Sequence, residues 1–168
     1  YYNYWQASDG AFHFALGDVS GKGIAAALLM ARIQATLNGL AARGNLPLEH
    51  MMGELSRLVL EGSLPDRYTT LILGIYDPAS HRLEVVNAGH VPPILIHGGE
   101  VRLLERGGLP VGLFELAQYD EESVQLAPGD LLMLFSDGVS EALSSQGEEF
   151  GDERILSCAG AVMVHASE

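Results

Sequence analysis

Two short segments concentrate the reactive side chains. In Gly17-Asp18-Val19-Ser20-Gly21-Lys22-Gly23 and in Phe135-Ser136-Asp137-Gly138-Val139-Ser140-Glu141-Ala142, an apolar strand-like run ends in an aspartate followed by glycine and small residues. A carboxylate at a strand terminus, beside backbone whose carbonyls can turn toward a cation, suits a hard metal with oxygen ligands. If the two strands are neighbours, Asp18 and Asp137 can meet, and paired hard oxygen donors favour Mg2+ or Mn2+. Aspartate and glycine are also what turns use, so each segment reads as a plain turn as well.

Other chemistries find less support. The Gly17 to Gly23 loop is not a Walker phosphate loop, which needs four residues between its glycines and Ser or Thr after the Lys; here three intervene and Gly23 follows Lys22. Asn87-Ala88-Gly89-His90-Val91-Pro92-Pro93 could position a substrate or bind a metal, although a lone His is commonly a hydrogen-bonded structural residue. None of the six histidines stands at a zinc-binding spacing. Ser20, Ser136 and Ser140 lack the Gly-x-Ser-x-Gly elbow, and Cys158 among apolar helical neighbours reads as a core residue, so no covalent nucleophile stands out. Tyr1, Tyr2, Tyr4 and Trp5 read as core or sheet-edge packing, and Asp120, Glu121 and Glu122 as a solvated face.

Composition sets the frame. The chain has 168 residues, about one domain's length, with 48% hydrophobic and 18% charged residues, as in an ordinary globular protein. Its formal charge of −13 repels phosphate backbones, which makes DNA and RNA poor candidate partners. The longest wholly apolar stretch, 24–31, is far short of the roughly 18 residues of a membrane span. With no signal pattern and a single cysteine, the expectation is a soluble cytoplasmic protein with no membrane partner. An opening Tyr1 in an aromatic cluster suggests a start inside a larger protein.

The elements that must hold these residues follow from periodicity. Phe12, Phe14 and Leu16 alternate as in a half-buried strand ending at Asp18. Residues 24–42 have strong helix composition, apolar nearly all round at first, which predicts a buried first half; Gly44 and Pro47 end it. A second helix is expected from Leu48 to about Leu60, with Met51, Leu55, Leu58 and Val59 on one side and Gly62 and Pro65 closing it. Three hairpins are expected next: 68–76 with 83–87, 93–97 with 101–104 across Gly98-Gly99, and 119–126 with 131–135 across Pro128-Gly129. A last helix runs from Asp152 to about His165. Segregated helices and antiparallel hairpins make an α+β protein, with two stacked sheets and helices outside.

In order along the chain stand Gly-Asp-Val-Ser-Gly-Lys-Gly with Ala-Ala-Leu-Leu-Met after it, Asn-Ala-Gly-His-x-Pro-Pro, Leu-Pro-Val-Gly-Leu, Pro-Gly-Asp-Leu-Leu, Ser-Asp-Gly-Val-Ser-Glu-Ala and Phe150-Gly151. This set resembles the metal-dependent serine/threonine protein phosphatases of type 2C, in their bacterial sporulation and stress-response branch. The resemblance spans Tyr1 to at least Ile155.

The resemblance implies one phosphatase domain over 1–168, a four-layer α-β-β-α sandwich of two antiparallel sheets with a two-metal site at one edge. It implies that Asp18 bridges two Mn2+ or Mg2+ ions, that the Val19 carbonyl helps hold one, and that Asp137 binds a metal. Water shared by two cations loses its proton near neutral pH and can attack phosphorus, so no phosphoenzyme is needed. The implied substrate is a phosphoprotein, such as a STAS-domain anti-sigma-factor antagonist. A sensor or receiver domain is expected upstream in the parent chain, as in response regulators with such an output domain.

There are two departures. The family's Gly-Gly-Asp normally stands just before the pair matching Tyr1-Tyr2, and Asn3 occupies a position usually held by Asp; the family's closing strand with Asp-Asp would follow Glu168. The domain is thus expected to lack its extreme N- and C-terminal strands, and a catalytically impaired adaptor that works by protein binding is the alternative.

Overall fold

The computed structural model describes residues 1–7, 10–43, 46–62 and 67–165, with side chains described except at 62 and 162–165. The expected breaks at Gly44 and Pro65 lie outside the described residues. In chain order the elements are β1 (Tyr2–Gln6), β2 (Phe12–Val19), α1 (Ile24–Ala41), α2 (Leu48–Gly62), β3 (Thr69–Asp77) and β4 (Arg82–Ala88). Then come β5 (Ile94–His97), β6 (Glu100–Leu103), β7 (Gly107–Gly108), β8 (Glu122–Gln125), β9 (Leu131–Met133), α3 (Asp137–Ser140) and α4 (Asp152–His165).

The chain divides into two compact units, Tyr1–His90 with Arg106–Gln125, and Val91–Glu105 with Leu126–Glu168. The first holds a six-stranded sheet in the order β1-β2-β3-β4-β7, with β8 also on β4. Its pairs are antiparallel except β4–β7, which runs parallel over Asn87 and Ala88, so this sheet is mixed and not purely antiparallel as expected. The exception is glycine-made: a Cβ on Gly107 would fall on the Asn87 backbone, so only glycine admits this approach.

α1 and α2 pack on one face of that sheet. α1 contributes Leu29, Ile33, Leu37 and Leu40, spaced four, four and three apart, which is one helical stripe. α2 buries Met51, Met52, Leu55 and Val59, close to the expected side. The buried face of β2 is His13, Ala15, Gly17 and Val19, whereas Phe12 is exposed and Phe14 and Leu16 are half-buried. The alternation was legible, but the large apolar residues mark the opposite face. Ala15 and Val19 belong to the core that includes both helices, and small residues there let the layers approach closely.

In the second unit β6-β5-β9 form an antiparallel sheet. The β5–β6 turn is the expected Gly98-Gly99, with φ of 56° and 92°, the left-handed region that glycine enters freely. Ile94 and Ile96 of β5 pack with Ile155 and Ala159 of α4.

Four expectations need correction here. The third hairpin does not form: β8 pairs with β4 and β9 pairs with β5, so the Pro128-Gly129 turn carries the chain from one sheet to the other. The first half of α1 is not buried, since Ile24 is 82% and Leu28 66% exposed; apolar composition all round did not mark a contact all round. By length and composition alone α1 is also long and apolar enough to cross a bilayer, although its Leu29 to Leu40 stripe packs as a core helix does. Cys158 is exposed, because Ile155 and Ala159 take the buried stripe of α4.

Candidate functional site

Asp18 is the penultimate residue of β2, opposite Thr70 of β3, and is exposed. Beside it Val19 is buried opposite Thr69. The strand end is pinned beyond this pair: Ser20 N–H donates to the Tyr68 carbonyl at 2.9 Å, and Ser20 Oγ accepts from Tyr68 N–H at 3.0 Å. The Arg67 guanidinium donates to the Ser20 carbonyl at 2.8 Å. Among the described residues, none hydrogen-bonds to or pairs with the Asp18 carboxylate. It is an exposed hard oxygen donor, the kind of ligand that Mg2+ or Mn2+ takes.

Tyr1 N–H donates to the Gly17 carbonyl at 3.0 Å and Gly17 N–H returns a bond to the Tyr1 carbonyl at 2.9 Å. The start of β1 therefore lies beside the Asp18 end of β2. Asn3 turns its side chain to its own strand, Oδ1 accepting from Tyr4 N–H at 2.9 Å.

His90 sits in this same unit, 7% exposed. Its Nδ1 is 2.8 Å from Thr70 Oγ1, which also lies 3.4 Å from the Asp18 carbonyl oxygen. The hydrogen-bonded structural reading of His90 holds, and its partner leads to Asp18. The sequence reading missed Thr70: a threonine in a β-rich run carries no local mark, and only the register of β2 on β3 sets it across from Asp18.

Asp137 belongs to the second unit. It does not end a strand: β9 stops at Met133, and Asp137 opens the one-turn helix α3 behind an extended Ser136. Its backbone carbonyl accepts from Glu141 N–H at 2.8 Å and from Ser140 Oγ at 3.1 Å, while the residue is exposed. Acidic residues favour the first helical turn, which explains the helix where a strand end was expected. Among the described residues, no three His, Cys, Asp or Glu side chains gather into a ligand set.

A second polar centre lies in the first unit toward the other end of β2. A cavity of about 1040 Å³ is lined by Trp5, His13, Glu49, Glu84 and Glu121, among others. The rings of Trp5 and His13 stack there at 5.2 Å. Burial pushes the Glu121 carboxyl up to about 7, helped by a hydrogen bond with Glu49 and by the Glu84 and Glu49 charges, against the pull of Arg82. Arg82 Nη2 is 2.8 Å from Glu84 and 3.8 Å from Glu121. Glu122 is buried where β8 pairs with β4, whereas Asp120 is exposed, so the acidic run is a solvated face only in part.

A family model described as stage II sporulation protein E (SpoIIE) matches residues 8–167. The phosphoserine phosphatase RsbU of Bacillus subtilis is 30% identical over 149 residues, 88% of this chain and 44% of that protein. The crystal structure of the RsbU and RsbW domains of Rv1364c from Mycobacterium tuberculosis superposes with a TM-score of 0.80 at 22% identity, covering 97% of this chain and 46% of that one. The PP2C phosphatase domain of SpoIIE from Bacillus subtilis, solved with a fragment of its regulatory domain, gives 0.79 at 22% identity over 95% and 47%. The chain spans less than half the length of each of these proteins. At such identity the two structures share its fold, α+β with two sheets and flanking helices.

Proposed function

The chain belongs to the stage II sporulation protein E family, and from that premise we propose that it is a metal-dependent phosphatase of phosphoserine and phosphothreonine in proteins. The observation that carries this reading is the exposed Asp18 carboxylate at the end of β2, in the motif where the family resemblance sets its bridging ligand. The four-layer α-β-β-α arrangement, the single phosphatase domain and a site shared by Asp18 and Asp137 are parts of the same proposal.

The residues present fit the group. Asp18 and Asp137 offer exposed carboxylates and Val19 a main-chain carbonyl, all hard oxygen donors suited to Mn2+ or Mg2+. When bound, such ions would supply an activated water and offset the charge of the phosphoryl group. The chain's own part is to hold the ligands still. The Ser20–Tyr68 bonds and the Arg67 contact fix the strand end from which Asp18 projects. No covalent nucleophile is assigned.

The substrate proposed is a phosphorylated signalling protein of the cytoplasm, such as a STAS-domain anti-sigma-factor antagonist, with a sensor or receiver domain elsewhere in the parent chain. A charge of −13 argues against a nucleic-acid substrate. The test is phosphate release from a phosphoserine protein, or hydrolysis of p-nitrophenyl phosphate, by the full-length protein with Mn2+. Activity that Asp18→Ala abolishes supports the reading. Activity that survives this change removes Asp18 from the mechanism, and binding of the phosphoprotein without hydrolysis supports the adaptor instead.

A further inference from the structure

We infer that His90 is a positioning residue for the Asp18 end of β2, acting through the hydroxyl of Thr70. The inference rests on the proposed role of Asp18 and extends it to two residues with no assigned part.

Proton counting sets the direction of the two contacts at Thr70. A threonine hydroxyl has one proton to give, and Thr70 Oγ1 touches two groups, the Asp18 carbonyl oxygen at 3.4 Å and His90 Nδ1 at 2.8 Å. A carbonyl only accepts. Both contacts are hydrogen bonds only if Thr70 donates to Asp18 and His90 Nδ1–H donates to Thr70. The relay therefore runs one way, from the imidazole to the Asp18 main chain.

Its far end is anchored. His90 N–H donates to Asn87 Oδ1 at 2.8 Å, and Asn87 Nδ2 donates to the His90 carbonyl at 3.0 Å, a two-bond clamp across the turn after β4. Gly89 allows that turn with φ of 70°, and a Cβ there would press on the Pro110 ring at 2.8 Å. The main chain of His90 is thus held on both sides by the Asn87 side chain, and the residue is 7% exposed. Asp18 is the opposite case, with an exposed carboxylate that none of the described residues holds. What fixes its direction is its main chain, and that is where the relay ends.

Groups that orient a metal ligand without touching the ion typically change affinity or activity by about 10–100-fold. The test is Mn2+ binding to the full-length protein, followed by electron paramagnetic resonance of the free ion, with Mn2+ activation kinetics on p-nitrophenyl phosphate beside it. Thr70→Val keeps the branched shape on the strand and deletes the donor; Thr70→Ser restores it. His90→Asn places an amide N–H near the Nδ1 position, whereas His90→Ala removes the donor altogether.

The expected result is Mn2+ affinity lowered about 10–100-fold in Thr70→Val and His90→Ala, with Thr70→Ser and His90→Asn within about threefold of the parent. The loss should show in the Mn2+ concentration needed for half activity and not in kcat at saturating Mn2+, a split that general destabilisation does not produce. Should His90→Ala fail to fold, Thr70→Val decides alone, its far-ultraviolet circular dichroism and unfolding midpoint confirming that it is folded. Parental affinity in Thr70→Val, with binding lost in Asp18→Ala, overturns the inference and leaves the phosphatase reading standing. Parental affinity in Asp18→Ala overturns that reading and the inference with it.

Discussion

In the first unit Glu49, Glu84 and Glu121 line one cavity, and Arg82 stands 2.8 Å from Glu84 and 3.8 Å from Glu121. Burial, then the Glu49 hydrogen bond and the Glu84 charge, raises the Glu121 carboxyl from an ordinary 4.5 to about 7. Between these values the folded chain keeps a proton that the unfolded chain has released, so stability falls as pH rises through this window and levels off above about 7. At about 1.4 kcal/mol per pH unit the whole window is worth at most about 3.5 kcal/mol. The Glu121 side chain is 22% exposed and Arg82, 3.8 Å away, is 52% exposed, so solvent screening reduces this to about 1–2 kcal/mol. Glu121→Gln removes the titration and keeps a donor toward Glu49. Its stability relative to the parent, from urea unfolding of the full-length protein, is expected to rise by about 1–2 kcal/mol between pH 5 and pH 8. A difference that stays flat across that range, or shrinks toward pH 8, refutes the shared-proton argument.

Three further outcomes follow from particular contacts. Ile33→Ala, at a fully buried α1 position, is expected to cost about 2–5 kcal/mol in urea unfolding, and Leu28→Ala, at 66% exposure, within about 0.5 kcal/mol. Gly107→Ala sets a Cβ against the Asn87 backbone and should cost about 1–3 kcal/mol, read as a lowered thermal midpoint. In the second unit, burial works to raise the Asp130 carboxyl, but bonds from Ala127 N–H at 2.7 Å, His97 at 2.6 Å and Gly98 N–H at 3.3 Å outweigh it and hold it below its ordinary 3.8. Because the ionised form is favoured in the folded chain, that stability is present above 3.8 and lost as pH falls below it. Asp130→Asn should lose about 1.5–3 kcal/mol at pH 7 in urea unfolding, with the gap closing in acid.

What the sequence made legible was mostly local. Gly98-Gly99 between two short β runs specified the β5–β6 hairpin, and the turn after Asp77 specified β3–β4, because both pairings join neighbours in the chain. β8 could not be assigned this way: its partner β4 lies about forty residues upstream, and a turn signal at Pro128-Gly129 does not say whether the chain returns to the same sheet. β7 has no side chains to form a pattern and exists only because glycine admits close backbone contact. At the candidate site, Asp18 announced itself through its motif. Thr70 did not, since its role comes from a register between strands fifty residues apart. The same holds for Glu49, Glu84 and Glu121, three unremarkable surface-type residues until α2, β4 and the segment before β8 bring them to one cavity.

The proposed function needs Asp18 and Asp137 each to act as a metal ligand. A crystal of the full-length protein soaked in Mn2+, read by the anomalous signal of the metal, tests it directly. The expected result is Mn2+ within ligand distance, roughly 2–2.5 Å, of a carboxylate oxygen of Asp18 and of one of Asp137. Mn2+ bound by one aspartate with the other far from any ion, or bound by neither, would contradict it.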